Sequence, residues 1–136
     1  HMDLLKWLLE KKADVNVQNG KGQTALHMSI EYDFYFQSEA LIAGGANQKL
    51  KNNDGHEAIS GIDGGKVGNE AWDNPVVILK AAEDDKRQIE IAFLALEKAD
   101  PASLDKAALA QAGMQKRRAC KANWDAPRFM EIMKKL

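Results

Sequence analysis

Apolar residues recur at helical spacing along most of the chain, and polar or glycine-rich breaks divide them into short helices. In residues 3–11, Leu4, Leu5, Leu8 and Leu9 form one apolar stripe, with Asp3 near the start, where negative charge is favoured. Ala25, Leu26, Met28, Ser29 and Ile30 supply the inner face of a second helix, for which Thr24 is the N-cap. A third covers roughly residues 35–43. The run Gly61-Ile62-Asp63-Gly64-Gly65-Lys66-Val67-Gly68-Asn69 is too rich in glycine to continue a helix, and Asn74-Pro75 restarts one with a cap and a first-turn proline. Val76, Val77 and Leu79 belong to that helix, while Ile89, Ala92, Phe93 and Leu96 mark another that ends at Asp100-Pro101. Ser103 is read as the cap of the next, with Leu104, Ala107, Ala108 and Leu109 apolar and Gly113 as its stop or kink. Ala126-Pro127 opens a last helix carrying Phe129, Met130, Ile132 and Met133. The pattern predicts an all-α protein.

A longer period runs over this helical pattern. Thirty-three residues separate Ala13 from Ala46, Asn19 from Asn52 and Gly22 from Gly55. The stretch Gly22-Gln23-Thr24-Ala25-Leu26-His27, followed by Gly44-Gly45-Ala46-Asn47, resembles the G-x-T-P-L-H opening and G-A-D close of an ankyrin repeat. The resemblance implies a short solenoid of helix pairs with projecting hairpins. In its register, residues 13–45 are one full repeat and residues 3–11 are the second helix of a repeat whose first helix is absent. Residues 46–83 are a degenerate repeat with a loop inserted between its helices. The repeat domain is thus expected over 3–83, with a C-terminal helical cap or extension over 84–136, and the whole is expected to be the C-terminal piece of a longer array.

Departures from the pattern carry their own expectations. Lys12 stands where the family has a left-handed glycine, which implies strain of about 1 kcal/mol or a different helix end. Asp33 replaces the turn glycine, and Gln37-Ser38 fall where aliphatics are expected. In Tyr32-Asp33-Phe34-Tyr35-Phe36, Tyr35 and Phe36 are read as replacing the missing aliphatic burial, with Tyr32 or Phe34 covering the next helix pair. The alternative is an aromatic hot spot for a partner.

The resemblance implies a non-catalytic module that binds another protein through hairpin tips and the first-helix face. Carried over position by position, those contacts fall on Gln18, Gly20, Lys21, Gln23, Glu31 and Tyr32, then on Lys51, Asn53, Asp54 and His56. His27 resembles the family histidine that hydrogen-bonds backbone between neighbouring loops. Two alternatives stand beside this reading. One is a purely structural terminal module. The other is a contact with nucleic acid or an acidic partner through the C-terminal helices, where Lys116-Arg117-Arg118 and Lys121 cluster, 117 and 121 sharing a helical face. Charge supports an asymmetry: residues 1–97 hold 10 Lys/Arg against 16 Asp/Glu, and residues 98–136 hold 9 against 4. Nucleic acid is the less favoured partner, because a solvated helix face explains the cluster. Leu4, Leu5, Trp7 and Leu8, lacking a preceding helix, also point to self-association.

Candidate chemistry is thin. Gly64-Gly65-Lys66 imitates the end of a phosphate-binding loop, but Ser60 occupies the first required glycine and Val67 replaces the Ser/Thr that would hold magnesium. Asp63 lacks the alternating ligands of a calcium loop. His1, His27 and His56 show no i, i+4 pairing and Cys120 has no cysteine partner, so no metal site or cofactor is expected. No nucleophile motif suggests an enzyme. The lone cysteine, with no signal peptide and no apolar run of membrane length, fits an intracellular, cytoplasmic protein.

Overall fold

A computed structural model describes residues 2–67 and 72–136, and its contacts group into two compact units, residues 1–74 and 75–136. Among the described residues the secondary structure is helical, with a single β-bridge between Lys51 and Glu57.

The first unit contains α1 (Met2–Glu10), α2 (Ala25–Glu31) and α3 (Tyr35–Ala43), followed by a 3-10 turn, Ala58–Ser60. All three helices end in the same way. A left-handed residue follows each: Lys12 (φ 60°), Asp33 (φ 59°) and Gly45 (φ 95°). In each case its N–H and that of the next residue reach back to the last turn, as in Lys12 N–H to Leu9 O and Ala13 N–H to Leu8 O, both 3.0 Å. Lys12 therefore adopts the glycine conformation despite its Cβ. The geometry repeats even where the residue type does not.

At its other end α2 is fastened by a reciprocal cap. Thr24 Oγ1 accepts the His27 N–H at 3.3 Å, while His27 Nδ1 accepts the Thr24 N–H at 3.3 Å. Leu26, Ile30, Leu41 and Ala58 make the core, flanked by Leu5, Val15, Ile42 and Ala46. Ala25 and Met28, expected on the inner face of α2, are instead exposed, because they flank an open groove beside α1. Ser38 is buried where an aliphatic residue was expected, its hydroxyl satisfied by Ser29 Oγ at 2.6 Å and by Phe34 O at 3.0 Å. Phe36 is buried and Tyr35 is half-buried, the latter stacked at 5.0 Å on Trp72. Tyr32 and Phe34 do not cover the following helix pair; they line the groove on the α1 side.

The 3-10 turn packs on α2 at the place where a next first helix would begin, then stops at Gly61 (φ 77°). The glycine-rich segment after it is strapped down rather than loose. Glu31 accepts the Ile62 N–H at 2.8 Å, Asn52 Nδ2 donates to Ile62 O at 2.7 Å, and Lys66 pairs with Asp33 at 2.9 Å. Gly68 and Asn69 of this expected loop lie outside the described residues.

The second unit contains α4 (Pro75–Ala81), α5 (Lys86–Lys98), α6 (Lys106–Ala119) and α7 (Ala126–Lys134), with a 3-10 turn at Pro101–Ser103. α4 packs on α5 and α6, and α7 packs on the same two helices. Aspartates cap α5, α6 and α7: Asp85, Asp105 and Asp125 each accept first-turn N–H groups. Ser103 is not the cap of α6; it closes the preceding 3-10 turn, and Asp105 takes the role. Gly113 does not stop α6, which runs on to Ala119. It sits buried mid-helix because Phe129 lies where its side chain would be, a Cβ there coming within 2.2 Å of the ring. Phe93, Trp124 and Phe129 form an aromatic cluster, with Arg128 lying over Phe93 and pairing with Glu90 and Glu97. The hydrogen bond from Arg128 holds the Glu97 carboxyl below its ordinary value. Of the apolar residues on α7, Phe129 and Ile132 are buried, whereas Met130 is exposed. Cys120 is buried at the end of α6, and burial pushes its thiol pKa up.

Candidate functional site

The sequence period becomes a hydrogen-bonded ladder between two successive hairpins, at residues 18–23 and 51–56. Each is built on an asparagine. Asn19 Oδ1 accepts the Lys21 and Gln23 N–H groups at 2.9 Å, and Asn52 Oδ1 accepts those of Asp54 and His56 at 3.1 and 3.0 Å. Gly22 (φ 76°) and Gly55 (φ 85°) complete the turns. At Gly22 the requirement is doubled, since a Cβ would fall 2.6 Å from the Asn53 amide.

Cross-bonds then join the hairpins. Asn53 donates its N–H to Lys21 O at 2.9 Å and its amide to Gly20 O at 3.0 Å. Gln18 Nε2 donates to Gly22 O and Lys51 O, both at 3.0 Å, and Asn52 Nδ2 donates to Gln23 Oε1 at 3.2 Å. Underneath, His27 is fully buried. Its Nδ1 accepts from Thr24, so Nε2 carries the proton and donates to His56 O at 2.8 Å. The histidine therefore joins one repeat to the next through neutral hydrogen bonds, in the place that the resemblance implies.

These bonds sort the ten candidate contact residues. Gln18, Gly20, Lys21, Lys51, Asn53 and Asp54 come together at the tips and are exposed. Within that group the amides of Gln18 and Asn53 are engaged inside the ladder, while the side chains of Lys21, Lys51 and Asp54 extend from a backbone that the ladder holds. Gln23 is buried, its amide oxygen taken by Asn52, which makes it a fastener rather than a surface group. Glu31 is half-buried and holds Ile62. His56 is half-buried, with Gly64 so close that a Cβ there would meet the imidazole at 2.8 Å. Tyr32 is exposed in the apolar groove with Leu4, Met28 and Phe34.

Sequence reasoning missed the groove as a distinct surface and the Ser29–Ser38 bond that lets α3 dispense with an aliphatic residue. The signals were there in Met28 and Tyr32, four apart on one helix, and in two serines at inward positions. In the basic cluster, Lys116 donates to Ala82 O, and Lys121 lies beyond the end of α6, so Arg117 and Lys121 do not share a helical face. Among the described residues no group of three His, Cys, Asp or Glu could hold a metal ion, and no helix is long and apolar enough to cross a membrane.

Residues 1–37 match the family model described as ankyrin repeats (many copies). A putative ankyrin repeat protein of Rickettsia felis (strain ATCC VR-1525 / URRWXCal2) is 44% identical over 52 residues, covering 35% of this chain and 23% of that protein. The chain thus spans about a quarter of the length of the relative it matches. No solved structure matches it. With a matched N-terminal stretch, a 33-residue register and a histidine-linked hairpin ladder, the N-terminal part of the chain is similar to ankyrin repeats.

Proposed function

We propose that residues 18–56 present a docking surface for another protein, and that the chain is a binding module rather than an enzyme. Ankyrin repeats are in general non-enzymatic interaction modules, which supports the class of function. The observation that carries the assignment to the tips is the consumption of their backbone. The ladder uses the carbonyls of Gly20, Lys21 and Lys51 internally, so the side chains of Lys21, Lys51 and Asp54 are offered from a rigid frame. Rigid presentation lowers the entropy lost on association. The second unit, with its own aromatic core, is read as a stabilising terminal module, and the protein as cytoplasmic.

The test combines identification with mapping. A photo-crosslinking residue at Lys21 or Asp54 should capture a defined partner, while one at Met114, exposed in the second unit, should not. Lys21→Ala/Lys51→Ala/Asp54→Ala should weaken binding of that partner by about tenfold or more at an unchanged melting temperature. Retained affinity in the triple variant would move the interface away from the tips. Capture from Met114 alone, with binding that falls steeply with salt, would favour the basic C-terminal helices and a polyanionic partner.

A further inference from the structure

The two hairpin asparagines have the same structural role and differ in the residue that follows. Asn19 Oδ1 and Asn52 Oδ1 each accept two backbone N–H groups, at 2.9 Å in the first hairpin and at 3.1 and 3.0 Å in the second. Asn53, which follows Asn52, donates its N–H to Lys21 O at 2.9 Å, and Asn52 itself is buried. Gly20, which follows Asn19, has no side chain, and its N–H finds no acceptor among the described residues. Asn19 and Gly20 are both exposed, so water and hydroxide reach them.

We propose that Asn19 is a site of spontaneous intramolecular deamidation in the folded chain, and that Asn52 is protected from it. The Gly20 nitrogen, once hydroxide has taken its proton, bonds to Asn19 Cγ, a neighbour already held within one molecule. The electron pair of the carboxamide C=O moves onto Oδ1, where the Lys21 and Gln23 N–H groups stand ready to stabilise negative charge. Collapse breaks the bond from Cγ to Nδ2, expels ammonia and leaves a cyclic succinimide. Water then opens the ring. Breaking the bond from Cγ to the Gly20 nitrogen gives aspartate, which keeps an acceptor for both N–H groups. Breaking the bond from the main-chain carbonyl carbon to that nitrogen gives isoaspartate, in which the backbone runs through Cβ and Cγ. The acceptor of Lys21 and Gln23 is then part of the main chain, and the Gly20 and Lys21 carbonyls shift away from Asn53, to which both are bonded. At Asn52 the same oxyanion donors are present, but the nitrogen that must attack is tied to Lys21 O.

Ageing the full chain at mildly alkaline pH, followed by peptide mapping with mass spectrometry and enzymatic methylation of isoaspartate, reads the outcome. Asn19 should lose its amide about tenfold or more faster than Asn52. Gly20→Ala should slow Asn19 by about tenfold or more at an unchanged melting temperature, since an added Cβ meets nothing within 4 Å and Gly20 lies outside the left-handed region. Asn53→Gly gives Asn52 the same following residue that Asn19 has. In the fold Asn52 should stay slow, because the residue 53 N–H remains bonded to Lys21 O, whereas in urea the two rates should converge. Circular dichroism checks that each variant folds, and Gly20→Ala carries the test if Asn53→Gly does not. Hydrogen exchange at the Asn53 amide should lose protection in the isoaspartate fraction and keep it in Asn19→Asp. Equal rates at Asn19 and Asn52 in the native chain overturn the proposal, as does a rate at Asn19 indifferent to Gly20→Ala. Folded Asn53→Gly losing the Asn52 amide as fast as that of Asn19 also overturns it, by removing the protection assigned to the Lys21 bond.

Discussion

Replacing His27 by alanine removes an imidazole with no solvent exposure and three polar contacts. The costs differ among them. The Thr24 N–H loses its acceptor inside the fold, and an orphaned buried donor costs about 1–3 kcal/mol. The His56 carbonyl is better protected, because it also accepts the Asn52 N–H at 3.0 Å, so losing its second bond costs about 1 kcal/mol or less. The space left by the ring adds about 1–2 kcal/mol of lost packing. These terms sum to about 2–6 kcal/mol, centred on about 4 kcal/mol, a large share of the roughly 4–11 kcal/mol expected of a unit of 74 residues. A fall in Tm of more than about 10 °C follows for the first unit. Because two units can unfold separately, amide hydrogen exchange is the better assay. Protection should be lost at the Asn52 and Asn53 amides, which bond across and within the hairpins, and retained at Ile89 in α5. His27→Gln should cost less if its amide still reaches the His56 carbonyl. Unchanged protection at Asn53 in His27→Ala would refute the view that the histidine couples the two repeats.

Other perturbations test other parts of the structure. Gly113→Ala sets about 1 kcal/mol of gained helix propensity against about 1–3 kcal/mol of overpacking on Phe129, so urea denaturation should show a net loss in the second unit; a gain would mean that Phe129 moves aside freely. Glu97 has a lowered folded pKa, so its contribution is present above the ordinary value of 4.5 and is lost as pH falls through the folded pKa. Glu97→Gln should therefore cost about 0.5–1 kcal/mol at neutral pH, a figure reduced for solvent screening, and should flatten the decline in stability below that value, as read by thermal melts across acid pH. Lys12→Gly should stabilise the first unit by up to about 1 kcal/mol, since Lys12 holds φ 60°, and an unchanged melt would mean that the gain is offset by the freedom of glycine in the unfolded chain.

Local signals in the sequence were sufficient where the determinant was itself local or periodic. The spacing of 33 residues, Thr24 before an apolar stripe and the hairpin asparagines and glycines together specified the repeat register, the bounds of α3 and the place of His27. These depend on short-range hydrogen bonding and backbone conformation, which residue type encodes directly. Tertiary structure decided what depends on a distant neighbour. Gly113 looked like a helix stop until Phe129 occupied its missing side chain, and Gln23 looked like a surface residue until Asn52 bonded it. Glu31 looked free until the Ile62 amide claimed it, and Met28 and Tyr32 looked like parts of different surfaces until α1 made them walls of one groove. A side chain carries its own size and donors in the sequence, but whether these are spent internally or left for a partner depends on which residues the fold brings within a few ångströms of it.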